Sequence, residues 1–447
     1  MTVATVAPTA PALRPHGRDR AVDLVRAVCI LGVVVLHAMM VGVGVAGGIP
    51  SFVNASDGTW WIVPLSWVLQ VMPLFFVIGG FSAATAYRRA RARGSDAVGF
   101  VSSRVHRLLR PAIVTIGVVG VLLALLASAG VPGDLVTLAG FRFAQPLWFL
   151  GVFLVCQALV PALLRLHERA PLATIAALAA AATAVDVLRL ATGVDALGFF
   201  NLAFVWLTLQ QLGFFLADGR IDALSRRTRL FVAVGAVAAL AASFASGIHS
   251  PDLVANINPP TTALLLVGVA HTALFSLLRG RLGRIAERRP ARRFMDFVTP
   301  RAMTVYLWHM PVLLGLAGSS AMWALTTGLP LPAVDGPWWW LTRPLWLAAA
   351  LAATAAVALV AARVEAATPP PATRSARRAA LAVVAGTAGV ALLLVVGTTV
   401  ATAAIAVALL AWALRLARRT APMGVEGGQR IGRSLVDGVQ VPAPTAP

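Results

Sequence analysis

Arg26 and His37 are the residues of this chain best placed to do chemistry. Both fall in the first long apolar run, eleven positions apart. On an α-helix, eleven residues at about 100° each return to nearly the same face while climbing about 16 Å. An arginine where the run begins and an imidazole near its middle are costly placements in a bilayer, and such residues usually have a job. A neutral imidazole there can act as a general base, whereas its protonated form is strongly disfavoured unless paired. Bland alternatives stand beside these roles: His37 as a hydrogen-bonding link between helices, and Arg26 as an inner-face anchor paired with Asp23.

Taken together, the two residues imply a long ligand lying along the helix, anionic at one end and reactive at the other. A phosphopantetheine arm, with phosphates at one end and a thioester at the other, has that reach. Asp23, about 21 Å along the axis from His37, cannot orient the imidazole, so its positioning group must come from another helix. Arg104, Arg107 and Arg110, with His106 beside them and Pro111 following, are spaced by three at a helix entrance. Guanidinium groups offer phosphates fixed, bidentate donors, although lipid head-group attraction or topology signalling accounts for single arginines equally well. Gly79 and Gly80 allow close helix approach. Tyr306 and His309 bring a second intramembrane histidine in the ninth span, while His271, Asn201, Gln210 and Gln211 read first as interhelical hydrogen bonds. Asp186 with Arg189 reads as a local ion pair. Cys29 and Cys156 are small packing residues, with no disulfide framework and no metal site.

These residues need a membrane scaffold. The chain has 447 residues, 59% hydrophobic and 12% charged, with a mean hydropathy of +0.83. Uncharged runs near 20 residues recur along it, which makes it a polytopic all-α membrane protein. The net charge of +20 does not indicate nucleic-acid binding, because the arginines come in short clusters between apolar runs. All 37 basic residues are arginine, which we read as compositional bias. Spans are expected at about 23–46, 62–86, 111–130, 146–165, 172–191, 199–217, 230–248, 260–279, 300–324 and 343–363. The uncharged stretch 379–414 is too long for one span and should fold as a hairpin turning near Gly397-Thr398-Thr399. With both termini cytoplasmic, only Arg142, Arg189 and Arg343 fall outside, a strong positive-inside pattern. Trp60, Trp61 and Trp338–Trp340 then form an outer aromatic belt. The expected organisation is a cytoplasmic tail (1–20), a ten-helix membrane domain (21–365), a Pro/Arg-rich linker (366–378), a two-helix hairpin (379–417) and a disordered cytoplasmic tail (418–447). The first run is too long for a signal peptide and reads as an uncleaved helix.

The segment Val22-Asp23-Leu24-Val25-Arg26, ten residues and then His37 resembles the signature of the acyltransferase 3 family of integral membrane acyltransferases. So do Pro73–Ser82 with its Gly-Gly-Phe, the arginine series ending Arg110-Pro111, Pro146-Leu147-Trp148-Phe149-Leu150, and Tyr306-Leu307-Trp308-His309. Five such motifs in family order span residues 21 to 363 or so. The resemblance implies a ten-helix domain that moves an acyl group, acetyl above all, from cytoplasmic acyl-CoA to a hydroxyl. Acceptors in such enzymes are cell-envelope carbohydrates, lipid-linked glycans and small natural products. It implies that Arg26 and His37 are essential and that Arg104, Arg107 and Arg110 lie near the donor. Asp23, Gly79, Gly80, Trp148, Tyr306 and His309 then have supporting places. This sequence shows no appended soluble hydrolase-like domain of the kind some members carry, and it adds the 379–414 hairpin.

The expectation is therefore a multi-pass plasma-membrane O-acyltransferase that uses acyl-CoA, typically acetyl-CoA, as cosubstrate. It would hold no permanent cofactor, no metal and no nucleic acid, and its partners would be the bilayer and a hydroxyl-bearing acceptor. His37 would serve either as general base or as acyl relay. The rival reading is a twelve-helix transporter or exporter of a polar or anionic solute, in which buried His and Arg line a path. A structural or regulatory membrane subunit would leave His37 without a role.

Overall fold

The computed structural model describes residues 19–368 and 370–419. The expected tails therefore lie outside the described residues, apart from Asp19 and Arg20 at one end and Arg418 and Arg419 at the other. In chain order the elements are α1 (Arg20–Met40), β1 (Val41–Ala46), β2 (Ile49–Asn54), α2 (Ile62–Leu69), α3 (Met72–Ala92), α4 (Ala97–Ser128), α5 (Gly133–Ala144), α6 (Trp148–Arg169) and α7 (Pro171–Thr192). There follow α8 (Asn201–Ala217), α9 (Arg226–Ala245), α10 (Ala263–Ala286), α11 (Arg289–Val298), α12 (Ala302–Thr327), α13 (Pro337–Ala366), α14 (Ala376–Val395) and α15 (Val400–Ala417). Among the described residues, twelve segments are long and apolar enough to cross a membrane. In three of them two helices join almost without a break: α2 with α3, α5 with α6, and α11 with α12. Successive spans run in opposite directions, so one end of the bundle gathers the arginine clusters and the other gathers the tryptophans.

One expectation needs correction. The first span does not reach residue 46. Helix α1 stops at Met40, and β1 pairs antiparallel with β2, Val41 opposite Asn54 and Ala46 opposite Ile49. Alternating Val and Gly from Val41 to Val45 makes a poor helix, because valine is stiff at χ1 and glycine is entropically costly. Gly47 and Gly48, at φ +57° and +76°, supply the tight turn.

Small residues set how closely the helices pack. A Cβ on Gly80 would lie 2.1 Å from the Gln210 carbonyl oxygen, and one on Gly213 would lie 2.1 Å from that of Val77. Helices α3 and α8 thus touch backbone to backbone, as small residues permit in apolar bundles. Beside this crossing, Phe76 stacks on Trp206 at 4.4 Å and Trp148 stacks on the other side at 5.4 Å. Helices α14 and α15 are joined through Gly397 at φ +86° and pack against α4, α5 and α6. A Cβ on Gly140 would lie 1.9 Å from the Thr398 carbonyl oxygen, so the hairpin is wedged into the bundle.

Helix α1 is pinned at both ends. At its start Asp19 is the N-cap, accepting from the Val22 amide at 3.1 Å, and it also pairs with Arg279 of α10. At its finish, Trp346 Nε1 donates to the Ala38 carbonyl at 2.9 Å, and Arg343 donates to the Ala38 and Val41 carbonyls. Arg343 also lies over the Trp339 ring, 3.8 Å from its centroid. A cation on the last free carbonyls of a helix is favourable for both hydrogen-bonding and dipole reasons.

Candidate active site

His37 faces α12, where His309 is fully buried. His309 Nε2 lies 3.2 Å from His37 Nδ1, and the ring centroids are 5.0 Å apart. The other nitrogen of His309, Nδ1, meets the Tyr306 carbonyl. A carbonyl only accepts, so His309 must carry its proton on Nδ1, which leaves Nε2 as an acceptor. His37 Nδ1 also lies 2.9 Å from the Val33 carbonyl. Both neighbours of that nitrogen are acceptors, so His37 carries its proton on Nδ1 as well. Its Nε2 is left with an available lone pair, and it has no protein hydrogen bond among the described residues. The chain of donors and acceptors thus fixes one tautomer.

His37 lines an apolar cavity of about 130 Å³ enclosed by α1, the α2–α3 junction, the start of α6, the loop before α10 and the start of α12. On α1 the cavity extends from Ile30 to Met40, about 15 Å. Trp148 and Tyr306 form part of its wall. The Tyr306 hydroxyl donates to the Pro146 carbonyl at 2.7 Å and is spent on tying α12 to α6.

Arg26 lies one turn below Ile30, towards the arginine-rich end, and is not among the lining residues. It pairs with Asp23 at 3.3 Å and donates to Ser82 of α3. Arg104 sits over the Phe100 ring at 4.7 Å, within electrostatic reach of Arg26 and Arg107. Its Nε is buried without a hydrogen-bond partner. Like charges from α1 and α4 are thereby held near each other, an arrangement that an anion between them would relieve. Arg107 is exposed. Arg110 is spent elsewhere, donating to the Ala367 and Thr368 carbonyls after α13. Positions 104 and 110 differ by six residues, about 120° apart around the helix. Gly79 packs against Phe153, and Gly80 forms the α3–α8 crossing.

The Asp186–Arg189 ion pair expected from spacing is corrected. Asp186 points into the bundle and accepts from Asn201 at 2.8 Å and from the Thr262 amide and hydroxyl at 2.7 Å each. Arg189, one turn on, pairs with Asp195 instead. Burial makes the carboxylate take every inward donor, and the arginine reaches the nearest exposed acid. Gln210 donates to the Cys156 carbonyl and Gln211 to His167, both interhelical bonds. Sequence reasoning did not foresee the His37–His309 contact. Two histidines at middle depth in separate spans were the available signal, without a rule to pair them. Arg343, read from sequence as an outer-loop charge, holds the carbonyl next to His37.

The model of the acyltransferase domain family, acyltransferase 3, matches residues 19–363. The chain belongs to the acyltransferase 3 family. The match takes in α1 to nearly the end of α13, with every site residue described above, and leaves α14 and α15 outside. No curated protein and no solved structure matches the chain. This acyltransferase 3 protein is accordingly a multi-pass membrane acyltransferase.

Proposed function

We propose that the chain transfers an acyl group from acyl-CoA to an acceptor hydroxyl, with the reaction centred on His37 Nε2. The observation that carries this reading is the relay Tyr306 carbonyl–His309–His37, which leaves a neutral imidazole lone pair at an apolar cavity. Arg26, Arg104 and Arg107 hold the donor's phosphates, and Asp23 fixes Arg26. The pantetheine arm then follows α1 past Ile30, bringing the thioester beside His37. As the acceptor oxygen bonds to the acyl carbon, its proton passes to His37 Nε2. The carbon–sulfur bond breaks, and the departing thiolate takes that proton to leave as free CoA. His309 stabilises the transient imidazolium by accepting from Nδ1, and the apolar surround excludes water that would hydrolyse the thioester. The acceptor is a hydroxyl of an envelope carbohydrate, a lipid-linked glycan or a small natural product, and the enzyme acts in the plasma membrane.

Arg110 is left out of the donor set because its guanidinium holds the linker. An apolar cavity also fits a polar-solute carrier poorly, since such a path needs polar groups to replace water. The test is acyl turnover by purified protein with radiolabelled acetyl- and butyryl-CoA and a membrane extract as acceptor source. Label transfer that His37→Ala abolishes and Arg26→Ala weakens at low acyl-CoA supports the reading. Transfer that survives His37→Ala overturns it.

A further inference from the structure

The cavity beside His37 has a size and lining that go further than the reaction class. Met40, Leu69, Met72, Phe75 and Phe149 give it apolar walls, and its side chains with polar atoms are His37, Gln70, Trp148 and Tyr306. Two of them already donate to backbone: the Tyr306 hydroxyl to the Pro146 carbonyl, and the Gln70 amide nitrogen to the Leu253 carbonyl at 2.6 Å. A carbohydrate placed here would find few partners, His37, Trp148 Nε1 and Gln70 Oε1, and most of its hydroxyls would lose their water hydrogen bonds without replacement. Hydrocarbon loses nothing there. The volume of about 130 Å³ is close to that of a dry 150 Å³ cavity able to hold benzene, a six-carbon ring. The end of the pantetheine arm takes the part of this space on the Ile30 side, and an acetyl group would leave wall atoms beyond it lacking contacts on one side.

We propose that this cavity takes the acyl chain together with the thioester end of the arm, that it prefers a short acyl chain longer than acetyl, and that the acceptor stays outside it. The inference rests on the acyl-CoA reading above and replaces acetyl as the preferred group. The wall residue best suited to set the limit is Met72, at the start of α3. It is partly buried, is an adaptable unbranched side chain, and is not required for the relay.

The test is equilibrium binding of free CoA and of acetyl-, butyryl-, hexanoyl- and decanoyl-CoA to the full chain in nanodiscs. Butyryl- or hexanoyl-CoA should bind about 10-fold or more tighter than both acetyl- and decanoyl-CoA, the discrimination expected when methylenes fill an apolar pocket. Met72→Trp should remove that advantage with free CoA binding unchanged, and Met72→Ala should move the optimum to a longer chain. Acetyl-CoA binding tightest, affinity rising smoothly through decanoyl, or a preference unmoved by both Met72 variants would overturn the pocket. With free CoA still bound, those results would leave the acyl-CoA reading intact. Failure of free CoA and every acyl-CoA to bind would overturn both.

Discussion

Two histidines inside this bundle, His167 buried and His37 partly buried, are built for opposite ends. His167, at the arginine-rich end of α6, has both nitrogens occupied: Nε2 meets Asp218 at 2.9 Å, and Nδ1 accepts from Gln211 at 2.8 Å. Arg88 holds Asp218 in turn at 2.7 Å. Among the described residues His37 has no carboxylate partner; its Nδ1 gives its proton to neutral acceptors, and its Nε2 has no protein partner. The first arrangement uses up all the hydrogen-bonding capacity of the ring and ties α6 to the end of α8. The second spends one nitrogen on orientation and keeps the other for a reaction. Burial alone therefore does not mark a reactive histidine; His37 differs from His167 in keeping one nitrogen without a protein partner while lining a cavity.

The largest expected effect breaks the pair at its reactive member. His37→Ala should lower turnover by about 10²–10⁴-fold, the usual worth of a general base, at unchanged folded yield. The same measurement on His167→Ala should change turnover by less than about three-fold, and equal losses at both would erase the distinction. Next comes the orienting ring. His309→Ala should cost roughly 10–100-fold in kcat with little change in KM for acyl-CoA, and His309→Gln, whose amide oxygen can accept from His37 Nδ1, should restore part of it. A loss confined to KM would make His309 a substrate contact instead.

Arg26→Ala should act on the other kinetic constant, raising KM for acyl-CoA about 10-fold, with Arg26→Lys intermediate because the charge stays and the bidentate fork does not. Smallest is a pH effect at the structural histidine. Burial works against the ionised form of Asp218, yet the hydrogen bond from His167 and the Arg88 charge hold its carboxyl below the usual carboxylate range. Its stabilising contribution is therefore present above that range and fades as pH falls through the lowered value. Thermal unfolding followed from about pH 6 to pH 3 should show this decline, and Asp218→Asn should flatten it.

Much of this architecture is legible in the sequence because lipid enforces a simple code. Apolar runs near 20 residues, arginine clusters between them and a break at Gly397 mark the helices, since unpaired backbone is intolerable in hydrocarbon. The Arg26–His37 spacing is equally readable, because both residues ride one helix. What escapes is whatever depends on two helices at once. The pairing of His37 with His309 spans 272 residues, and no periodicity encodes it. Arg110 looked like a phosphate ligand by spacing, but the chain after α13 returns to claim its guanidinium. The β1–β2 hairpin was missed because Val41–Ala46 is apolar enough to pass for helix, while its glycine alternation is a backbone property that hydropathy ignores.

The wedge of α14 and α15 against α4, α5 and α6 has a consequence for traffic. Gly386 sits so close to Leu109 of α4 and Leu154 of α6 that an added Cβ would lie 2.6 and 3.0 Å from them. At that contact no lipid tail fits between the hairpin and the helices α4 and α6. The extra hairpin, outside the family match, thus covers this flank of the matched domain.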